Sequence, residues 1–192
     1  MGRSNKNKVV PVIGRHTKKT TFLTLTLFPG CTTRAYDPST SVQIPENAKN
    51  QGNLHYYAIG LGPGNGETVF AKTETLNIQT LETIMKENGD FGKKITYLKL
   101  DIEGFEIWSM PNFLKSDIFK NVDQIGVEMH TGNGVIDQTR VKLWYPKMVE
   151  FFREIGQKYG LKLAAYAPNL CVGKAWDANR KFYSYHDLLF VK

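Results

Sequence analysis

The stretch Tyr97-Leu98-Lys99-Leu100-Asp101-Ile102-Glu103-Gly104-Phe105-Glu106 constrains this chain most, because a hydrophobic run there stops abruptly at two acids and a glycine. A buried strand that ends in carboxylates is at home in an open α/β sheet, where ligands bind beyond the carboxyl ends of the strands. Asp101 and Glu103 are therefore expected to face a pocket. A strand end capped by turn-forming acids is the plainer alternative, and the neighbouring segments must decide between them.

Those segments repeat the pattern. From Gly30 onward, short β-rich runs alternate with helical ones, as expected of a mainly parallel sheet covered on both faces. Strands are expected near residues 32–37, 55–60, 95–101, 123–130, 161–167 and 184–191. Leu81, Ile84 and Met85 share a helical face within residues 76–88, a crossover helix that Asn88-Gly89 stops. A longer helix is expected after Pro146, with Met148, Phe152, Ile155 and Tyr159 as its core face and Gly160 as its end. With 192 residues and 41% hydrophobic content, the chain suits a single α/β domain over residues 30–192, preceded by a basic segment, 1–29.

Two further strands end in chemistry-bearing groups. Thr33-Arg34-Ala35-Tyr36-Asp37 stops at Pro38, and an acid at such a point can accept two hydrogen bonds from a ribose diol; alone, Asp37 reads first as a helix or turn cap. Gln124-Ile125-Gly126-Val127-Glu128-Met129-His130 places Glu128 and His130 on one side by the period of two. A histidine titrating near neutrality there can serve as a general base. Asp101, Glu128 and His130 are of metal-ligand type, but nothing in their spacing selects a metal, and none is expected.

Gly60-Leu61-Gly62-Pro63-Gly64-Asn65-Gly66 looks loosely like a dinucleotide fingerprint. It leads into the β-like Glu67-Thr68-Val69-Phe70 instead of a helix, so with Asn65-Gly66 as a hairpin-turn signal the segment is expected to be a plain β-turn and not a phosphate cradle. Cys31 and Cys171 lack metal or disulfide spacing and are expected as free thiols.

The formal charge of +7 is uneven. Seven of the 25 bases precede Asp37 with no acid among them, which leaves 18 bases against 18 acids in the body. A neutral body argues against a phosphate-tracking surface, so no nucleic-acid partner is expected. The N-terminal segment is expected to be a basic arm, with a transit peptide as the alternative, disfavoured because lysine outnumbers arginine. The apolar run from Phe22 to Phe28 is too short for the ~20 residues of a membrane span. No membrane span and no signal peptide are expected, and a soluble, cytoplasmic location is the default.

Together, residues 31–39, Tyr57-Ala58-Ile59-Gly60-Leu61, residues 76–84, Tyr97 to Glu106 and Ile125 to His130 resemble S-adenosylmethionine-dependent methyltransferases of the FkbM type, notably their animal methyltransferase-like branch. The resemblance implies a Rossmann-like class I methyltransferase sheet, mostly parallel with an antiparallel C-terminal strand, in which the strands ending at Asp37 and Asp101 are the second and fourth. It further implies that Gly14 marks the cofactor loop, Asp37 holds the ribose, Ile59 and Gly60 lie near the adenine, and Asp101 with Glu103 borders the methionine end of S-adenosylmethionine. Asp101 and His130 would be the catalytic pair, with His130 on the side of a small-molecule or sugar-like acceptor methylated on oxygen or nitrogen.

The front of the chain departs from that pattern. Val9-Val10-Pro11-Val12-Ile13-Gly14 supplies one glycine where a glycine-rich loop is wanted, although the 23 residues from Gly14 to Asp37 match the ~20 expected. The run from Thr20 to Phe28 alternates like a strand where a helix is wanted. The first strand and helix are therefore doubtful on sequence, and a non-catalytic binding module or an incomplete chain are the alternatives to an enzyme.

Overall fold

The computed structural model describes residues 8–14, 30–38, 53–70, 74–130, 138–168, 174–177, 180–183 and 185–192. Seven strands form the main sheet: β1 (Val9–Gly14), β2 (Thr32–Tyr36), β3 (Leu54–Tyr57), β7 (Leu98–Asp101), β8 (Gln124–His130), β9 (Lys162–Pro168) and β12 (Tyr185–Val191). Their order is β3-β2-β1-β7-β8-β12-β9. Only β12 is reversed, pairing antiparallel with both β8 and β9. All six strands expected from the sequence are present, within three residues of their expected limits.

The doubtful first strand sits at the centre of this sheet. Val9 to Ile13 are all buried, as suits a strand covered on both faces, and β1 pairs in parallel with β2 on one side and β7 on the other. Pro11 has no N–H to give, which ordinarily speaks against a central strand. Here the ladder to β7 covers only Val12 to Gly14, with a separate bridge from Val9 to Ile95, so Pro11 falls in the interval where that side is open. Val9–Gly14 thus belongs to the sheet and not to a separate segment 1–29. The expectations for residues 15–29, including the strand-like run from Thr20, lie outside the described residues, as does Cys171; Cys31 is a buried free thiol.

A three-stranded sheet, β4 (Gly60–Leu61), β5 (Gly66–Phe70) and β6 (Glu74–Gln79), follows β3, in the order β4-β6-β5. The hairpin is therefore β5 with β6, and Asn65-Gly66 joins strands on opposite sides of β6 instead of forming the hairpin turn. The crossover helix, α1, is shorter than expected, Leu81–Glu87. Leu76 and Ile78 are buried while Thr75 and Asn77 are exposed, a period of two that makes them strand, and Thr80 then caps the helix by accepting from the Thr83 N–H. The hairpin β10 (Lys174–Asp177) with β11 (Arg180–Tyr183) precedes the last strand.

Helix α2 (Glu106–Lys115) and helix α3 (Gln138–Tyr159) pack together through aromatic rings. Phe119 meets Phe113, Phe151 and Tyr159 edge-on at centroid separations of 5.8, 5.8 and 5.9 Å, which suits the ring quadrupoles. Helix α3 begins eight residues before Pro146, which lies inside it, and its buried aromatics among the described side chains are Phe151 and Tyr159, with Phe152 half-buried. Among the described residues no helix is long and apolar enough to cross a membrane.

Gly126 in β8 lies under Tyr97, and a Cβ added there would overlap the Tyr97 hydroxyl and come 3.0 Å from its ring. Gly126→Ala should cost about 1–3 kcal/mol in chemical denaturation, and the loss should shrink in a Tyr97→Phe background, where the overlapping oxygen is gone.

Candidate functional site

The parallel strands β1, β2, β7 and β8 all end at one edge of the sheet. Register places Gly14 opposite Asp101, and Ile13 opposite both Tyr36 and Leu100. Asp37 and Asp101 therefore flank the end of β1, on strands about 10 Å apart by ordinary sheet spacing. The sequence-predicted residues fall into two groups on either side of Gly14.

The first group is Asp37 with Ile59 and Gly60. Asp37 is fully buried; its N–H donates to the Tyr57 carbonyl at 3.1 Å and its carbonyl accepts from the Tyr56 hydroxyl at 2.9 Å. Burial, followed by the negative charge of Asp37, pushes the Tyr56 phenol up to about 12. Gly60 approaches Pro38 so closely that a Cβ would lie 3.0 Å from the proline ring. A glycine is thus what lets the chain after β3 pass the end of β2, and Ile59 stands half-buried beside it.

The second group is Asp101, Glu103 and His130, joined by Glu106. After Asp101 the chain turns through two left-handed residues, Glu103 at φ 56° and Gly104 at φ 99°, before α2 begins. The Glu106 carboxylate closes this turn, accepting from the Ile102 N–H at 2.8 Å and the Gly104 N–H at 2.9 Å. Nδ1 of His130, from the end of β8, lies 2.9 Å from the same carboxylate. His130 Nε2 faces Asp101 and Glu103, 3.8 Å from an oxygen of each. Glu106 ends the sequence motif, but nothing local gives it a role: its partner lies 24 residues away on another strand, and an acid in the first turn of a helix is the one hint of it.

Electrostatics follows from this packing. Burial would lower the His130 pKa, but the hydrogen bond and charge of Glu106, then the charges of Asp101 and Glu103, outweigh it and raise it to about 9. His130 is consequently an imidazolium at neutral pH and does not titrate near neutrality as expected from sequence. Burial raises Asp101 to about 7; Lys99 and His130 pull it down, while the charge of Glu128 and a hydrogen bond shared with it push it up. Of the two expected catalytic groups, Asp101 is the one poised near neutrality. Asp101, Glu103 and His130 are of metal-ligand type, with ligand atoms within 4.8 Å of one another, and Glu103 takes the place that sequence reasoning gave to Glu128. The charge that Asp101 and Glu103 face is that of the imidazolium.

The strand order, with one reversed strand next to the edge, defines a mostly parallel, Rossmann-like α/β sheet, and acids end its second and fourth strands. No protein-family model matches the chain, and no curated protein matches it in sequence. Among solved structures, a putative rRNA methylase from Clostridium thermocellum is similar over 98% of this chain and 90% of its own, at 11% identity and a TM-score of 0.49. The 16S rRNA methyltransferase KamB is similar over 99% of this chain and 90% of its own, at 13% identity and a TM-score of 0.42. An uncharacterized protein from Listeria monocytogenes serotype 4b is similar over 98% of this chain, at 8% identity and a TM-score of 0.41, and the chain spans only 62% of its length. One expectation is corrected here: two of these similar proteins are named for ribosomal RNA, so a neutral body does not remove nucleic acid from the partners to be considered.

A group whose folded pKa is raised holds its proton more tightly in the fold, so its contribution to stability fades as pH rises through the folded value. Asp101 loses its contribution between about 3.8 and 7, and His130 between about 6.5 and 9. The melting temperature should therefore be lower at pH 9 than at pH 6. In His130→Gln the part of that decline above pH 6.5 should flatten, as scanning calorimetry across the range would record.

Proposed function

We propose that the chain is an S-adenosylmethionine-dependent methyltransferase domain of the FkbM type that transfers a methyl group to oxygen or nitrogen of its acceptor. The observation that carries this reading is the alignment of Gly14, Asp37 and Asp101 on three adjacent strand ends. Their chemistry fits the cofactor: a glycine allows close backbone approach, a buried carboxylate can accept from a ribose diol, and a second carboxylate suits a cationic sulfonium. Gly14 and Asp37 would hold the nucleoside, with Ile59 and Gly60 beside the base and Asp101 with Glu103 at the methionine end. When bound, S-adenosylmethionine supplies an electrophilic methyl group.

The chain's own residues supply geometry and proton management. Asp101, with a pKa raised to about 7, is suited to accept the proton that an acceptor gives up. His130, as an imidazolium, offsets the charge of Asp101 and Glu103 and leaves the base role to Asp101. Methyl transfer asks mainly for in-line positioning, which rigid strand ends provide.

Calorimetric titration with S-adenosylhomocysteine should give saturable heat, and Asp37→Ala should weaken it by about ten- to a hundredfold, the value of a hydrogen bond to a charged group. No heat from a folded chain would favour a methyltransferase-like binding module instead.

A second titration separates the two cofactor forms. The sulfonium of S-adenosylmethionine favours ionised Asp101, so its affinity should rise with pH, approaching about tenfold per unit below 7 and levelling above it. Uncharged sulfur in S-adenosylhomocysteine should show no such rise.

A further inference from the structure

Glu106 has no part in the roles above, yet its side chain is only 1% exposed and takes three donors. An acid in the first turn of a helix usually faces the free amides of that helix. Glu106 instead accepts from Ile102 and Gly104, which precede the helix, and reaches His130 at the end of a neighbouring strand. One carboxylate oxygen is shared between the Ile102 N–H and His130 Nδ1, so the turn and the ring cannot move independently. With Nδ1 engaged, the other ring nitrogen is the one left towards Asp101 and Glu103. Glu103 is directed there by a left-handed backbone that a non-glycine residue adopts only when its surroundings enforce it.

We propose that Glu106 is the positioning residue of this site: its buried carboxylate locks the turn between β7 and α2 to the His130 ring, so that Asp101, Glu103 and His130 Nε2 converge on one point. The two glutamates of the motif then divide the work. Glu106 turns inward and holds, while Glu103 turns to the ligand side. The charged groups around His130 are Asp101 on β7, Glu103 in the turn and Glu106 on α2; Asp187 on the paired strand β12 also interacts with it, and Glu128 and Lys99 act on it through Asp101. What binds at that point rests on the methyltransferase reading; the positioning itself does not.

Proton–nitrogen correlation spectra of the histidine rings in the full chain, with His130→Gln used for assignment, test this. In the unaltered chain His130 should carry a proton on Nδ1 shifted far downfield by the carboxylate, and its titration midpoint should lie well above that of an ordinary histidine. Glu106→Gln should lower the midpoint by one pH unit or more. A folded Glu106→Gln chain with an unchanged His130 titration overturns the proposal. So does a His130 ring in the unaltered chain that lacks the downfield Nδ1 proton, an observation that needs no variant. Titration with S-adenosylhomocysteine is run alongside: a His130 response without cofactor heat supports the positioning and removes the cofactor reading, whereas cofactor heat without a His130 response overturns the positioning alone.

Discussion

Everything at the carboxyl edge depends on how β1 is clamped between β2 and β7. Its apolar residues are buried on both faces, and its two ladders set the heights at which the neighbouring strands end. A slip of one residue in either ladder would turn every side chain of the slipped strand to the opposite face. Asp37 and Asp101 are held level by backbone pairing, with no contact between them required. That division lets the edge carry opposing chemistry without the acids having to stabilise the fold themselves.

The acids in fact strain it. Asp101, Glu103, Glu106 and Glu128 gather around one histidine and Lys99, in surroundings where desolvation alone penalises charge. Two devices make this tolerable. Glu106 is satisfied by two backbone amides and an imidazolium, and Asp101 stays partly protonated by sharing a hydrogen bond with Glu128. An arrangement of this kind is poorly suited to stability alone.

Much of the frame was legible in the sequence because it is written locally. The strands ending at Asp37, Asp101 and His130 are short apolar runs stopped by proline, glycine or acids, and period and length identify such runs. What was missed depends on pairing over distance. Pro11 is acceptable in β1 only because the ladder to β7 opens beside it, and no local pattern reports that. Leu76 and Ile78 lie close enough to Leu81 and Ile84 that one helical stripe and a strand followed by a helix are hard to tell apart; the Thr80 cap decides. The titration of His130 depends on Glu106, an acid on another element, so residue type alone suggested the ordinary value. The resemblance to a methyltransferase family placed the acids at the ends of the second and fourth strands of the main sheet, where the topology has them.

The reversed strand β12 has a consequence for how the protein is made. It lies between β8 and β9, so residues 185–191 fill an interior position of the sheet that no earlier segment occupies. During synthesis from the N-terminus, β1, β2, β3, β7 and β8 can pair while β8 still presents an open edge. That edge stays uncovered until residue 191 has cleared the ribosome. An apolar strand left open in this way can pair with another chain, so the nascent protein passes through a stage in which shielding by a chaperone has most to protect.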